Sequence, residues 1–285
     1  MPNRKRRLQE THRYSLAELE HSAVRAALAA GKVLRKYFGK KLKIDEKKNA
    51  GLVTNADLQA EEAALKILSR ATPDFGFLTE ETHPTASQRP GEPGRWILDP
   101  LDGTTNFVHK FPMFCVSIGA EVQGVPTVGV IYHPIFNDLY VAVRGKGARL
   151  NGKRIHVSNT KKLGDSLLTT GFAYTWNEEA LARDLWTFQK LSIKARAIRR
   201  PGSAAMDLAY TARGVFDAFW ERNLSPWDIS AGALLVQEAG GKVTNYFGEP
   251  LAYSQRQILA SNGKIHRLMV NTIGEIAERE ERKKS

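Results

Sequence analysis

The stretch Trp96-Ile97-Leu98-Asp99-Pro100-Leu101-Asp102-Gly103-Thr104-Thr105-Asn106-Phe107 decides how the chain is read. An apolar run leads into Asp99, Pro100 stiffens the exit, and Asp102-Gly103 turns the chain before Thr104, where a helix can begin. Two carboxylates therefore stand three residues apart on a rigid elbow. Carboxylate oxygens with a backbone carbonyl suit a hard cation such as Mg²⁺, and the N–H groups at the start of a following helix suit a phosphate. An ordinary Asp-Gly turn with an aspartate cap has the same sequence, so this stretch taken alone leaves both readings open.

Further acidic residues tilt the reading toward a cation. Glu80 and Glu81 follow the β-like run Phe75 to Thr79, so a carboxylate emerges from a strand end. Asp228 precedes the apolar run Ile229 to Ala239 and is expected as its N-cap, a position compatible with holding a cation as well. Asp57, within Leu52-Val53-Thr54-Asn55-Ala56-Asp57, stands at the entrance to another helix and by itself reads as a cap.

With these segments in view, the chain resembles the inositol monophosphatase family. The resemblance rests on Asp99 to Phe107, on Trp227-Asp228-Ile229-Ser230-Ala231-Gly232, on Glu238-Ala239-Gly240-Gly241, on Val53 to Asp57 and on Thr79-Glu80-Glu81, in that family's order. It extends over residues 16 to 277; Ser230 departs mildly from the small apolar residue often found there. It implies a layered αβαβα sandwich of the inositol monophosphatase/fructose-1,6-bisphosphatase type, an α+β or α/β fold. It further implies a Mg²⁺-dependent phosphomonoesterase acting on inositol monophosphate or a related polyol or sugar phosphate. Sugar bisphosphates, histidinol phosphate, nucleotide 3′-phosphates and NADP remain alternative substrates.

By the same resemblance, Glu80, Asp99, the Leu101 carbonyl, Asp102 and Asp228 would ligate two or three Mg²⁺ ions, with Asp99 bridging two. Asp57 and Thr104 would position and activate the attacking water, consistent with the way metal ions activate water and stabilise an in-line displacement. The N–H groups of Gly103 and Thr104 would hold phosphate oxygens. Arg199-Arg200-Pro201-Gly202-Ser203-Ala204-Ala205 resembles the substrate loop, with Arg200, Gly202, Ser203 and Ala204 meeting the hydroxyl side. Glu221 would accept hydrogen bonds from a polyol, which a purely hydrophobic pocket could not select. Read without the resemblance, Arg199-Arg200 is also a solvated pair and Glu221 an exposed strand end. Lithium sensitivity and a homodimer are implied too.

Composition narrows the remaining classes. The single cysteine, Cys115, permits neither an intrachain disulfide nor a cysteine zinc cluster, and reads as a small buried hydrophobe in a reducing compartment. His83, His109, His133 and His156 lack metal-ligand spacing, and Gly202-Ser203-Ala204 lacks the nucleophile elbow of a serine hydrolase. No apolar window is long enough to span a bilayer and no signal peptide is read, so the expectation is cytoplasmic. The net charge is +12, yet residues 1 to 48 hold 14 Lys/Arg against 5 Asp/Glu. A basic segment can bind RNA or the transcription machinery, although its aromatic residues are few and a solvated face accounts for the same charge.

The expected organisation is a basic tail (1–14), an antiparallel-sheet subdomain with flanking helices (15–158), an α/β subdomain with the specificity residues and Asp228 (159–277), and a charged tail (278–285). Within it, Ser15 caps a helix to Phe38, a second helix runs from Ala56 to Leu68, and helices are read at Arg183–Leu191 and Ala204–Ala212. Strands are read at Ala195–Arg199, Val215–Trp220, Lys242–Asn245 and Gln257–Ala260. Asn151-Gly152 marks a hairpin, and Gly145-Lys146-Gly147 reads as a strand connection rather than a phosphate loop.

Overall fold

A computed structural model describes residues 13–46, 51–85, 93–172 and 178–274. The basic residues 1–12 and the tail 278–285 lie outside the described residues. Helix α1 (Leu16–Tyr37) starts at Ser15, whose Oγ accepts from the Glu18 N–H at 3.2 Å while Glu18 Oε2 accepts from the Ser15 N–H at 2.7 Å. This reciprocal cap satisfies donors that the first turn cannot pair internally. Helix α2 (Asn55–Ala71) packs beside α1, and both lay Ala- and Leu-rich faces on a seven-stranded sheet. Between the two helices, β1 (Ile44–Glu46) and β2 (Leu52–Thr54) form a short antiparallel pair that was not visible as a strand pattern.

The seven-stranded sheet comprises β3 (Gly76–Thr79), β4 (Gly94–Asp102), β5 (Cys115–Val122), β6 (Val125–His133), β7 (Asp138–Val143), β8 (Gly147–Leu150) and β9 (Lys153–Arg154), in that order. Only β3 and β4 pair in parallel. Alternation along the strands sorts side chains between two cores. Val116, Ile118, Val128, Val130 and Tyr132 face α1 and α2, whereas Cys115 and Ile131 face the other way. The expected hairpin turn lies at Asn151-Gly152. The Gly145 and Gly147 N–H groups donate to the Glu238 carboxylate at 2.9 and 2.8 Å, so that loop is a strand connection held by a protein anion.

On that other face lie α5 (Ala204–Ala212) and α6 (Pro226–Glu238), covered in turn by a five-stranded sheet. Its strands run in the order β11 (Ala197–Arg199), β10 (Leu167–Thr170), β12 (Ala218–Arg222), β14 (Gln257–Ser261), β13 (Lys242–Thr244). Its outer face packs Leu168, Trp220 and Leu259 against Leu191 of α4 (Glu178–Lys194) and against Met269 and Ile273 of a helix at 266–274. The layers are therefore helix, sheet, helix, sheet, helix. Because α6 sits between two sheets, Ile229 to Val236 are buried all round, as expected for a helix apolar on every side.

Several boundaries differ from the expectation: α4 runs Glu178–Lys194 rather than Arg183–Leu191, α2 runs Asn55–Ala71 rather than Ala56–Leu68, and β11 starts at Ala197 rather than Ala195. Strand β12 starts at Ala218, not Val215, because the N–H groups of Val215 and Phe216 bond back to the Tyr210 carbonyl in the turn that closes α5. Helix α6 starts at Pro226 with Ser225 as N-cap, so Asp228 is the third helical residue rather than the cap. Proline suits the first helical position, where an N–H has no partner.

Helix α6 approaches the sheet at Gly119 and Gly129, which face each other across β5 and β6. A Cβ on Gly119 would lie 2.6 Å from Ser230 Oγ, and one on Gly129 would lie 2.6 Å from the Ala231 carbonyl oxygen. Gly129→Ala should therefore destabilise the protein by about 2 kcal/mol or more, the scale of core overpacking. Gly164→Ala, where the nearest atom is 3.9 Å away, should be close to neutral. Urea midpoints of the two variants check this contrast.

Candidate active site

The carboxylates of the elbow owe their placement to an irregularity in β4. Asp99 pairs with Ser117 and Asp102 with Cys115, so three steps along β4 match two along β5. A one-residue bulge at Pro100-Leu101 follows. Side chains alternate along a strand, so residues three apart would point to opposite faces; the extra residue turns both aspartates to the α6 side. Gly103 then takes φ 98° and caps α3 (Thr104–Val108), and a Cβ there would meet the Met113 carbonyl at 2.9 Å. The left-handed backbone and the crowding both require glycine.

Each aspartate is fixed through one oxygen. Asp99 Oδ1 accepts from the Leu101 N–H at 2.9 Å, and Asp228 Oδ2 accepts from the Ser225 N–H at 2.6 Å. Asp102 Oδ2 accepts from Ser203 Oγ at 2.6 Å and from the Ala205 N–H at 2.7 Å, so it caps α5 from another element. Asn106 Nδ2 reaches the carbonyls of Pro201 and Gly202 at 2.8 and 3.2 Å, which anchors the 199–205 loop to the elbow. Beneath them, Asp57 Oδ2 accepts from the N–H and hydroxyl of Thr54, while Thr104 Oγ1 lies 3.1 Å from Asp57 Oδ1 and 3.0 Å from the Leu101 carbonyl. Asp57, like Asp228, is the third residue of a helix whose cap is another side chain, Thr54.

These residues surround one cavity of about 1050 Å³. Glu80, Asp99, Leu101, Asp102, Gly103, Thr104, Arg200, Gly202, Ser203, Ala204, Glu221 and Asp228 all line it, and Asp57 stands behind Thr104. Glu221 lies within β12, not beyond it. Burial, then the charges of Glu80, Asp102 and Asp228, hold the Asp99 carboxyl well above its ordinary range. Burial and the Glu80 and Asp102 charges do the same to Asp228. Burial raises Asp57 and Asp102 to about 6, against the hydrogen bonds that favour their ionised forms.

The donor set is all oxygen: three aspartates, a glutamate and a backbone carbonyl, which fits a hard divalent cation. Among the described residues, no group of three or more His, Cys, Asp and Glu side chains stands close enough together to hold a metal ion by itself. A small hard cation on these oxygens would therefore need waters and substrate oxygens to complete its ligands. His133 stacks on Phe114 and Phe136 and contacts the Pro112 carbonyl at 3.0 Å, a packing role. Cys115 is buried and burial raises its thiol pKa.

Several residues of the site escaped the sequence reading. Glu61 of α2 is fully buried and accepts from Thr79 Oγ1 at 3.0 Å, the Glu81 N–H at 3.1 Å and the Thr82 N–H at 2.9 Å, which fixes the loop carrying Glu80. Its signal is the four-residue spacing from Asp57, which puts both on one helix face. Arg183, Asp184, Arg222, Asn223 and Arg256 also line the cavity and carry no motif.

The inositol monophosphatase family model matches residues 15–278. Over 245 residues the chain is 46% identical to an inositol-1-monophosphatase of Synechocystis sp., covering 86% of this chain and 84% of that one. It is 39% identical to Nus factor SuhB of Pseudomonas aeruginosa, covering 88% and 94%. The solved inositol monophosphatase of Anabaena (Nostoc) sp. superposes with a TM-score of 0.81 at 42% identity, covering 91% and 96%.

Asp99, Asp102 and Asp228 hold protons to higher pH folded than unfolded. The stability they contribute is complete below the unfolded carboxyl range of about pH 4 and is lost as pH rises through each raised folded pKa, which for Asp102 is about 6. A cation that binds the ionised carboxylates opposes that loss. Saturating divalent cation should raise the melting temperature by several degrees at about pH 7.5 and hardly at about pH 5, as followed by thermal unfolding.

Proposed function

The chain belongs to the inositol monophosphatase family and is a phosphatase, and we propose that it hydrolyses inositol monophosphate or a related polyol or sugar phosphate by direct attack of water. The observation that carries this reading is the meeting of Glu80, Asp99, Asp102 and Asp228 with the Thr104–Asp57 pair on one cavity. Glu80, Asp99, the Leu101 carbonyl, Asp102 and Asp228 are the proposed ligands of two or three Mg²⁺ ions. Bound there, Mg²⁺ would lower the pKa of water and offset phosphate charge.

The remaining work falls to side chains and backbone. Thr104 Oγ1, with its hydrogen directed at Asp57 or the Leu101 carbonyl, has lone pairs free to orient the attacking water. Asp57 is the acceptor to which a proton can pass through that hydroxyl. The N–H groups of Gly103 and Thr104 are proposed to hold phosphate oxygens. Arg200, Gly202, Ser203, Ala204 and Glu221 are proposed to bind the polyol, with the Glu221 carboxylate accepting from its hydroxyls. Burial, then the charges of Asp207, Asp228 and Asp102, raises the Glu221 pKa, and the Arg200 charge opposes this. Lithium inhibition, a homodimer and a cytoplasmic location belong to the same proposal; among the described residues no helix is long and apolar enough to cross a membrane.

In a phosphate-release assay over a panel of phosphomonoesters, turnover should require Mg²⁺ and be abolished by Asp99→Asn. Asp57→Asn should lower kcat on the order of a hundredfold or more, the usual contribution of a positioned base. Normal metal-dependent turnover by Asp99→Asn would show that the site is misassigned.

A second reading, binding of RNA or the transcription machinery, is favoured by the basic segment 1–48 and by relatives named Nus factor SuhB. Deleting residues 1–14 should weaken RNA binding in a gel-shift titration and leave phosphate release intact. Unchanged RNA affinity would remove the arm from this reading.

A further inference from the structure

The hydroxyl end of the cavity is built around the exit of β10. Thr170 pairs with Trp220 of β12 and its Oγ1 donates to the Trp220 carbonyl at 2.6 Å, so the chain leaves the sheet locked beside Glu221. Gly171 comes next, and a Cβ there would collide with both oxygens of the Glu221 carboxylate. Glycine thus lets that carboxylate lie close against the backbone. Gly171, Phe172, Arg200 and Glu221 all line the cavity.

Phe172 adds an aromatic ring to this wall. The Arg200 guanidinium carbon lies over that ring, 5.0 Å from its centre, and the ring of Phe188 in α4 meets it at 5.8 Å and 54°. Phe172 therefore stands between a guanidinium and a helix. Arg200 needs such a support. The 199–205 loop is tied to the elbow through the carbonyls of Pro201 and Gly202, which fixes its backbone but not the long, exposed Arg200 side chain. Holding an arginine costs rotamer freedom, and attraction to an aromatic face offsets part of that cost. Held there, Arg200 is near enough to Glu221 for its charge to favour the ionised carboxylate, against burial and the charges of Asp207, Asp228 and Asp102. The two groups are complementary, because a guanidinium only donates, a carboxylate only accepts and a hydroxyl does both.

We propose that Phe172 is a positioning residue for the hydroxyl end of the substrate: its ring holds the Arg200 guanidinium beside the Glu221 carboxylate, so that a donor and an acceptor meet the polyol as a preset pair. This rests on the phosphatase reading above, in which Arg200 and Glu221 bind the polyol. Acting through Arg200, Phe172 strengthens substrate binding equally before and during bond cleavage. Its loss therefore shows in KM rather than in kcat.

Phe172→Leu keeps apolar bulk without a ring face, and Phe172→Tyr keeps the face. With the polyol phosphate that the native protein turns over fastest, Phe172→Leu should raise KM about threefold or more, the scale of one exposed cation–π contact, and leave kcat within about twofold. Phe172→Tyr should restore the native KM. In the Arg200→Gln protein, Phe172→Leu should raise KM no further, because the ring acts through the guanidinium. An unchanged KM in Phe172→Leu, a fall in kcat alone, or losses that add in the double variant would overturn the positioning role. Failure of the native protein to release phosphate from any ester would instead overturn the phosphatase reading. In that case calorimetric titration of inositol 1-phosphate still decides: binding about threefold weaker or more in Phe172→Leu and restored in Phe172→Tyr supports the role, and equal binding or none refutes it.

Discussion

The bulge at Pro100-Leu101 is the constraint on which the site depends. Without the extra residue, Asp99 and Asp102 would stand on opposite faces of the seven-stranded sheet, one against α1 and α2 and the other against α6. With it, both reach the face where α6 delivers Asp228. Helix α6 can come that close because Gly119 and Gly129 present no side chains to it. Backbone geometry in three neighbouring strands thus fixes the separation of three carboxylates contributed by two distant parts of the chain.

The same arrangement carries an electrostatic cost. Burying carboxylates beside one another raises their proton affinity, and Asp99, Asp102 and Asp228 all show it. The fold offsets part of this with hydrogen bonds that also tie elements together. Asp102 joins the end of β4 to the start of α5, Asn106 joins the elbow to the 199–205 loop, and Glu61 joins α2 to the loop after β3. These contacts hold first contacts of the site in position from behind, so orientation does not depend on exposed loops. The buried pair Thr169 Oγ1–Asp207 Oδ1 at 2.9 Å extends this polar layer beneath the five-stranded sheet.

Much of this was legible in the sequence, for physical reasons. Proline, glycine and aspartate restrict the backbone strongly enough that Asp99 to Thr104 announces a rigid elbow, and the capped, periodic segment Leu16–Tyr37 announces a helix. The resemblance carried by the acidic segments implied one site, and Glu80, Asp99, Asp102 and Asp228 do line one cavity. What was not legible depends on tertiary pairing. A bulge exists only relative to a partner strand. The start of β12 moved because the carbonyl of Tyr210 captured two N–H groups, and the caps of α2 and α6 are Thr54 and Ser225 because hydroxyls compete with carboxylates for that position. Glu61 looks like a solvated charge until the fold buries it.

The central claim is that Glu80, Asp99, the Leu101 carbonyl, Asp102 and Asp228 form one cation site serving phosphate hydrolysis. Anomalous diffraction from crystals soaked with Mn²⁺ and inorganic phosphate tests it most directly. The account predicts manganese peaks ligated by these oxygens, with phosphate beside the N–H groups of Gly103 and Thr104. Manganese absent from these carboxylates in crystals of protein that still releases phosphate would contradict it.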